Sequence, residues 1–275
     1  MKRVVLAFLA ALSCISSIAR EPVNVTVMSF NIRDEMQNDG SNSWAYRYGA
    51  VAYMIEDTTP DIVGFQETSR EQLQFFADNF SQYKWVGVGR EDGKKVGEYT
   101  SIMYNSKKVS LSKSGTFWLS ETPDKASAGW GADHACSAVW AIVKEKKSGA
   151  SFFLVNTHID VDDPEYRAKA IEVILQKIEA LNTSNLPVAL LGGFNMEDNN
   201  PALEPVKAVM QNARAVAFQS DDVRTYHNYG KVSQKIDHIF IQNFSSCLEF
   251  KTVTDRYADR AYVSDHNPIM ATLVL

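Results

Sequence analysis

The sequence predicts a four-layer α/β sandwich, two packed and mostly antiparallel sheets with helices outside, and three observations carry that expectation. Nine runs rich in β-branched and aromatic residues outnumber three segments of helical period. No repeat, low-complexity tract or linker interrupts the chain after residue 20. A length of 275 residues with 45% apolar side chains is enough for a sizeable core. Many strands with few helices bury their apolar faces best as two sheets face to face. A doubly wound single sheet is the alternative packing of the same elements.

The strands are expected at Val23 to Phe30, Ile62 to Phe65, Lys84 to Val88, Ser101 to Tyr104, Ala138 to Val143, Ser151 to Asn156, Val188 to Leu191, Ile236 to Ile241 and Ile269 to Val274. Helices are expected at Tyr46 to Asp57, where Val51, Met54 and Ile55 share a face, at Glu71 to Asn79, and at Glu165 to Leu181. In the last of these Ala170, Ile171, Ile174, Leu175 and Ile178 form the apolar stripe, and Pro164 suits the first turn.

Residues 1–19 read as a secretory signal peptide: Lys2-Arg3 precede an apolar run from Val4 to Leu12, and Ser17 and Ala19 stand three and one positions before a cut. The run is shorter than the ~20 residues that span a bilayer. Lipidation at Cys14 is disfavoured because Ala11 stands where a lipobox carries an aliphatic residue. The mature chain, residues 20–275, is expected to be one domain, secreted or periplasmic, without a transmembrane segment. Removing the leader leaves 26 Lys and Arg against 33 Asp and Glu, so the net charge moves from −5 to −7. Such a balance speaks against a broad basic surface for long nucleic acid and leaves room for a local basic pocket. Cys136 and Cys247 remain, which is no disulfide framework; one bridge and two buried thiols are both open.

The strand ends carry chemistry. Apolar runs exit into Ser29-Phe30-Asn31, Gln66-Glu67, Asn156-Thr157-His158, Gly192-Gly193-Phe194-Asn195, Ile236-Asp237-His238 and Ser264-Asp265-His266. One such Asn or His is a turn or core residue more often than a catalyst. Six of them in one domain predict a rim where amides, carboxylates and imidazoles meet. Carboxylate and amide oxygens suit Mg²⁺, with Mn²⁺ as the alternative, and the chain has neither a Cys pair at ligand spacing nor a His-Glu-x-x-His helix for zinc.

At these residues the chain resembles the endonuclease/exonuclease/phosphatase superfamily, whose motifs occur here in family order over nearly the whole mature chain. Asn42-Ser43-Trp44, Gly97-Glu98-Tyr99, Phe117 to Pro123 and Thr225-Tyr226-His227 are similar to a secreted branch common in Bacteroidetes. The resemblance implies a DNase I-like fold and Mg²⁺-dependent phosphoester hydrolysis. It implies Asn31, Glu67 and Asp265 as metal ligands. His158 and Asn195 would contact phosphate oxygens or the incoming water, and His266, oriented by Asp237, would stabilise developing negative charge.

One position departs from the pattern. The family motif reads Gly-Asp-Phe-Asn, its Asp being the residue assigned to deprotonate or orient the nucleophile, and Gly193 stands there. Turnover by the standard route is expected to be attenuated, and three readings follow: a degenerate protein that binds a phosphate ligand with metal but does not turn it over, recruitment of Glu197 or Asp198 as a base, or a base that matters less for an activated substrate. The competing reading of 197–200 is a solvated loop capping a helix begun by Pro201. Arg33, Arg47, Arg70, Arg167 and Arg224 flank the motifs without forming a run, and Trp44, Trp118, Trp130, Tyr99 and Tyr226 lie between the motif strands. Acidic charge, export and aromatic loops together favour a small phosphoester over nucleic acid, acted on by a monomer.

Overall fold

The computed structural model describes residues 22–275, so the leader expected at 1–19, with Cys14, lies outside the described residues. Its elements run β1 (Asn24–Asn31), α1 (Trp44–Thr58), β2 (Ile62–Thr68), α2 (Arg70–Asn79), β3 (Tyr83–Val86), β4 (Tyr99–Asn105), β5 (Val109–Trp118), β6 (Ser137–Glu145) and β7 (Ser151–His158). The chain continues through α3 (Pro164–Leu181), β8 (Val188–Gly193), α4 (Glu204–Lys207), β9 (Gln211–Asn212), α5 (Ala213–Val216), β10 (Gln219–Ser220), β11 (Asp237–Gln242), β12 (Ser246–Thr252) and β13 (Ile269–Val274). Two mixed sheets form, one ordered β10-β12-β13-β1-β2-β4-β3 and the other β5-β6-β7-β8-β11-β9. Most pairings are antiparallel, β1 with β2, β7 with β8 and β10 with β12 being parallel. The doubly wound alternative is therefore excluded.

Alternation along β1 explains the four layers. Val25 and Val27 join Ile62, Leu154, Leu191, Ile239 and Leu273 in the core between the sheets, while Met28 and Phe30 turn outward onto Val51, Met54 and Ile55 of α1 and Leu73 and Phe76 of α2. On the other flank Phe153, Val155 and Leu190 meet Ile171, Ile174 and Ile178 of α3. Central strands covered on both faces need continuous apolar runs, which is what Val188-Ala-Leu-Leu supplies. Ser69 and Gln72 close a reciprocal capping box on α2, at 2.9 and 2.8 Å, worth about 1 kcal/mol. Asp163 caps α3 through the Tyr166 amide at 2.7 Å, with Pro164 in the first turn.

Two long strands escape the sequence pattern. β5 is an edge strand whose middle, Ser112-Lys113-Ser114, is exposed and follows a register shift, so its side chains are polar where an interior strand would be apolar. β12 alternates Cys247, Phe250 and Thr252 inward, but a bulge between Cys247 and Glu249 breaks the period. Both cysteines are buried free thiols, which removes the bridge. No helix among the described residues is long and apolar enough to cross a membrane.

Gly192 is irreplaceable for a local reason. Its φ of +151° lies where L side chains are rare, and a Cβ there would sit 2.0 Å from the Thr157 carbonyl oxygen of the neighbouring strand. Gly192→Ala is expected to cost more than about 4 kcal/mol, because the clash is with backbone and cannot be relieved by a rotamer change. A thermal melt within a few degrees of the wild type would contradict the close β7–β8 approach.

Candidate active site

Topology, not chain order, gathers the motif residues. β1 and β2 run parallel, so Asn31 and Glu67 leave the first sheet at one edge. β13 runs antiparallel to β1, with Ile269 opposite Ser29, and that brings the preceding Asp265 and His266 to the same edge. In the second sheet β7 parallels β8 with His158 opposite Gly193, and β11 opposes β8 with Asp237 opposite Gly193. His158, position 193 and Asp237 thus form a row across one sheet, facing Asn31, Glu67 and Asp265 from the other. The cleft between them has a volume of about 560 Å³ and is bordered by Glu67, Asn195, Asp265 and His266.

Hard oxygen donors converge on the first-sheet side. Glu67 adopts a left-handed backbone, φ +49°, and its Oε1 accepts a 2.8 Å bond from Asn31 Nδ2. Strain of that kind in a non-glycine residue persists only where surrounding structure enforces it. The guanidinium of Arg33 lies 3.6 Å from Glu67 Oε2 and 3.8 Å from Asp265 Oδ2, so the two carboxylates approach closely enough to share one positive charge. Two carboxylates and an amide oxygen disposed in this way fit a Mg²⁺ ion. Burial alone would lower the affinity of Arg33 for its proton, but Asp39, Asp265 and Glu67 outweigh it and hold the guanidinium firmly charged.

Two imidazoles complete the rim, His158 at the end of β7 in the second sheet and His266 on the segment before β13 in the first. His266 Nδ1 and Asp237 Oδ2 are 2.8 Å apart and both side chains are buried. Burial opposes the imidazolium, yet the Asp237 carboxylate overcomes it and pushes the His266 pKa up to about 9. Asp237 shifts the opposite way, below its ordinary value, because the charge of His266 and the hydrogen bond to it outweigh its own burial. Thr225 Oγ1 accepts the backbone N–H groups of Ile236 and Asp237, both at 3.1 Å, fixing the start of β11. Tyr226 packs against His266 with ring centroids 4.6 Å apart. Across the row, His158 Nε2 lies 3.3 Å from Asn195 Nδ2 and 3.8 Å from Glu67 Oε1. Asn195, at φ +54°, also donates to the Ile159 carbonyl at 3.1 Å.

No side chain fills position 193. A Cβ there would meet His158 Cδ2 at 3.0 Å and Asp237 Oδ1 at 3.5 Å, and that Asp237 oxygen is buried without a hydrogen-bond partner. The two rescue carboxylates suggested by the sequence are placed differently. Glu197 borders the cleft, but its Oε1 accepts from the Lys235 amide at 3.1 Å. Asp198 turns away to Asn212 at 3.0 Å. Asn200 caps the 3-10 turn Pro201–Leu203 through the Ala202 amide, as the solvated-loop reading expects.

Several residues sort differently from their sequence position. Gln66 and Asn156 are fully buried and tie the two sheets together, Gln66 Nε2 to Asn156 Oδ1 at 2.7 Å and Asn156 Nδ2 to the carbonyls of Phe65 and Ser101 at 2.8 and 2.9 Å. Their amides satisfy polar backbone inside the sandwich and do not reach the cleft. His238 points the other way and bonds the Met196 carbonyl at 2.7 Å. Of the five candidate aromatics only Tyr226 borders the cleft. Trp44 packs on Phe75 and Phe76, Tyr99 is buried, Trp118 bonds the Arg90 carbonyl, and Trp130 stacks edge-on against Tyr166. Arg47 is buried and donates to three backbone carbonyls, so its role is structural.

Sequence reasoning missed two neighbours of His158. Glu98, His158 and Asp160 bring ligand atoms within 4.8 Å of one another. Arg90 already occupies that group, 2.9 Å from Glu98 and 3.6 Å from Asp160. Burial raises the Glu98 pKa, with Arg90 opposing. The Gly97-Glu98-Tyr99 run was the available signal, but nothing local in it points at an imidazole 60 residues away.

Residues 28–266 match the model of the Endonuclease/Exonuclease/phosphatase family. A family protein from Bacteroides vulgatus superposes with a TM-score of 0.86 at 34% identity, covering 91% of this chain and 98% of that one. A mannosyl-6-phosphatase of Bacteroides thetaiotaomicron superposes with a TM-score of 0.86 at 30% identity, covering 91% of this chain and 100% of its own. A protein of Acanthamoeba polyphaga mimivirus is 26% identical over 246 residues, 82% of this chain and 91% of the relative.

Proposed function

This chain belongs to the Endonuclease/Exonuclease/phosphatase family, and from that premise we propose that it is an exported, Mg²⁺-dependent phosphoester hydrolase acting as a monomer on a small phosphoester. The observation that carries the reading is the meeting, at one rim, of Asn31, Glu67 and Asp265 with the His266–Asp237 pair and His158. Export rests on the leader-like residues 1–19, and the small substrate on the acidic balance and the size of the cleft. The structural likeness to a mannosyl-6-phosphatase supports a phosphoester substrate without fixing which.

Phosphoester cleavage draws its rate from positioning and charge neutralisation. Mg²⁺ at Asn31, Glu67 and Asp265 would supply Lewis-acid neutralisation of a phosphoryl oxygen. His266 spends Nδ1 on Asp237, which leaves its Nε2–H to donate to a second phosphoryl oxygen as charge builds. His158, held beside Asn195, orients the incoming water. Gly193 supplies no carboxylate beside His158 to take the proton from that water, so turnover is attenuated.

The same gap favours a second reading, a metal-dependent phosphate-ligand binding protein without turnover. Hydrolysis of p-nitrophenyl phosphate, bis-p-nitrophenyl phosphate and plasmid DNA separates the two. Product release with MgCl₂ or MnCl₂ is expected, abolished by EDTA and lowered at least about a hundredfold by Glu67→Gln. Metal-dependent phosphate binding in calorimetry with no product from any substrate selects the binding protein, and absence of both removes the two readings together.

A further inference from the structure

Arg33 is held more tightly than a solvated arginine beside two carboxylates needs to be. Its backbone is left-handed, φ +64°. Its amide donates to Asn31 Oδ1 at 3.1 Å, and its carbonyl accepts from Arg47 Nη2 at 2.7 Å and Gln72 Nε2 at 3.0 Å. Three side chains from three elements therefore fix a conformation that an arginine adopts only at a cost. The guanidinium is fixed as well. Nε and Nη2 form a fork onto Asp39 at 3.1 and 3.3 Å, and Asp39 is itself held by the Tyr229 hydroxyl at 3.1 Å. One edge of the guanidinium is thereby spent. The remaining nitrogen, Nη1, makes no hydrogen bond among the described residues, and it stands 3.6 Å from Glu67 Oε2, too far for one. Arg33 borders the cleft and its side chain is 28% exposed.

A guanidinium with one edge anchored and the other presented to a cleft is a prepared oxyanion donor. We propose that Arg33 Nη1 grips the third non-bridging oxygen of a terminal phosphoryl group, so that the site selects phosphomonoesters over phosphodiesters, with Asp39 as its positioning residue. The proposal rests on the phosphoester reading of this site and deepens it. A monoester presents three non-bridging oxygens, and the rim presents three kinds of partner: the Asn31, Glu67 and Asp265 oxygens that would hold a cation, the imidazoles, and Arg33. A diester has two such oxygens, and its second ester group would face Arg33 with only an uncharged ester oxygen, a much weaker acceptor for a charged N–H.

The test is a binding experiment, so it does not depend on turnover. Calorimetry of the folded protein with MnCl₂ is run with inorganic phosphate and with dimethyl phosphate, and Mn²⁺ affinity is followed separately by electron paramagnetic resonance. Wild type is expected to bind phosphate at least tenfold more tightly than dimethyl phosphate. Arg33→Gln should lose about ten- to a hundredfold in phosphate affinity, the worth of a charged hydrogen bond, with dimethyl phosphate affinity unchanged and Mn²⁺ affinity not weakened. Arg33→Lys should recover part of the loss. Asp39→Asn should lower phosphate affinity by a smaller factor and leave Mn²⁺ binding as it was. Equal phosphate affinity in wild type and Arg33→Gln overturns the proposal while leaving the phosphoester reading in place. Absence of Mn²⁺-dependent phosphate binding in the wild type itself defeats that reading instead. Superimposable thermal melts establish that each variant is folded.

Discussion

Gly193→Asp is expected to raise metal-dependent hydrolysis of the best of the three test substrates by about 10²- to 10⁴-fold, the usual contribution of a positioned general base. The backbone at 193 carries no positive φ, so an L side chain is conformationally allowed. The incoming Cβ would press His158 Cδ2 at 3.0 Å, which asks the imidazole to move by a few tenths of an ångström. The new carboxylate would stand beside His158 and near Asp237. Proximity to a second carboxylate raises its pKa, which suits a base working near neutral pH. Steady-state kinetics of the two proteins with Mg²⁺ decide the matter, with a melting curve to show that the variant is folded. If no substrate gains from the added carboxylate, the assignment of position 193 as the missing base is wrong.

Asp237→Asn is expected to lower activity by about 10²- to 10³-fold, as the loss of one preorganised donor does elsewhere, and to change how the metal-free protein responds to pH. The His266 pKa rises from 6.5 in the unfolded chain to about 9 in the fold. A raised histidine stabilises the fold fully below pH 6.5, and that stabilisation is lost as pH climbs through about 9. The buried pair makes it worth about 3 kcal/mol. Asp237, shifted downward, stays ionised throughout that window and adds no slope of its own. Urea unfolding in EDTA at pH 6 and pH 9 should therefore show a fall for the wild type that Asp237→Asn lacks. Parallel curves for the two proteins would disprove the coupling.

Legibility of the fold followed the apolar pattern. Strands buried on both faces, such as β8, and helices with a clean stripe, such as α3, were readable within a residue or two of their observed ends. β5 was not, because an edge strand needs no apolar inner run through its exposed middle. β12 was not, because its bulge hides the period. The aromatics misled for a related reason. Trp44, Tyr99, Trp118 and Trp130 lie beside the motifs in sequence, but large apolar rings are worth more packed against Phe75 or Tyr166, or with an indole N–H on the Arg90 carbonyl, than presented to water.

Within the candidate site, residue type was readable and most partnerships were not. Asn31, Glu67, His158, Asp265 and His266 announced themselves by unusual chemistry at the ends of apolar runs, and the gap at Gly193 was visible as a single letter in a four-residue motif. The pairing of Asp237 with His266 followed from the family resemblance, whereas that Arg33 belongs to Asp39 and faces Glu67, and that Gln66 and Asn156 serve the sandwich instead of the cleft, required the fold. The physical reason lies in range. Side-chain period and strand-end composition are local properties that a chain carries with it. Hydrogen bonds between residues 29 to 90 positions apart exist only once β13 has folded back beside β1, and the second sheet has closed over the first. The sequence by itself determined which chemical groups are available and at which strand ends. The tertiary structure alone decided which of them are within 4 Å of one another.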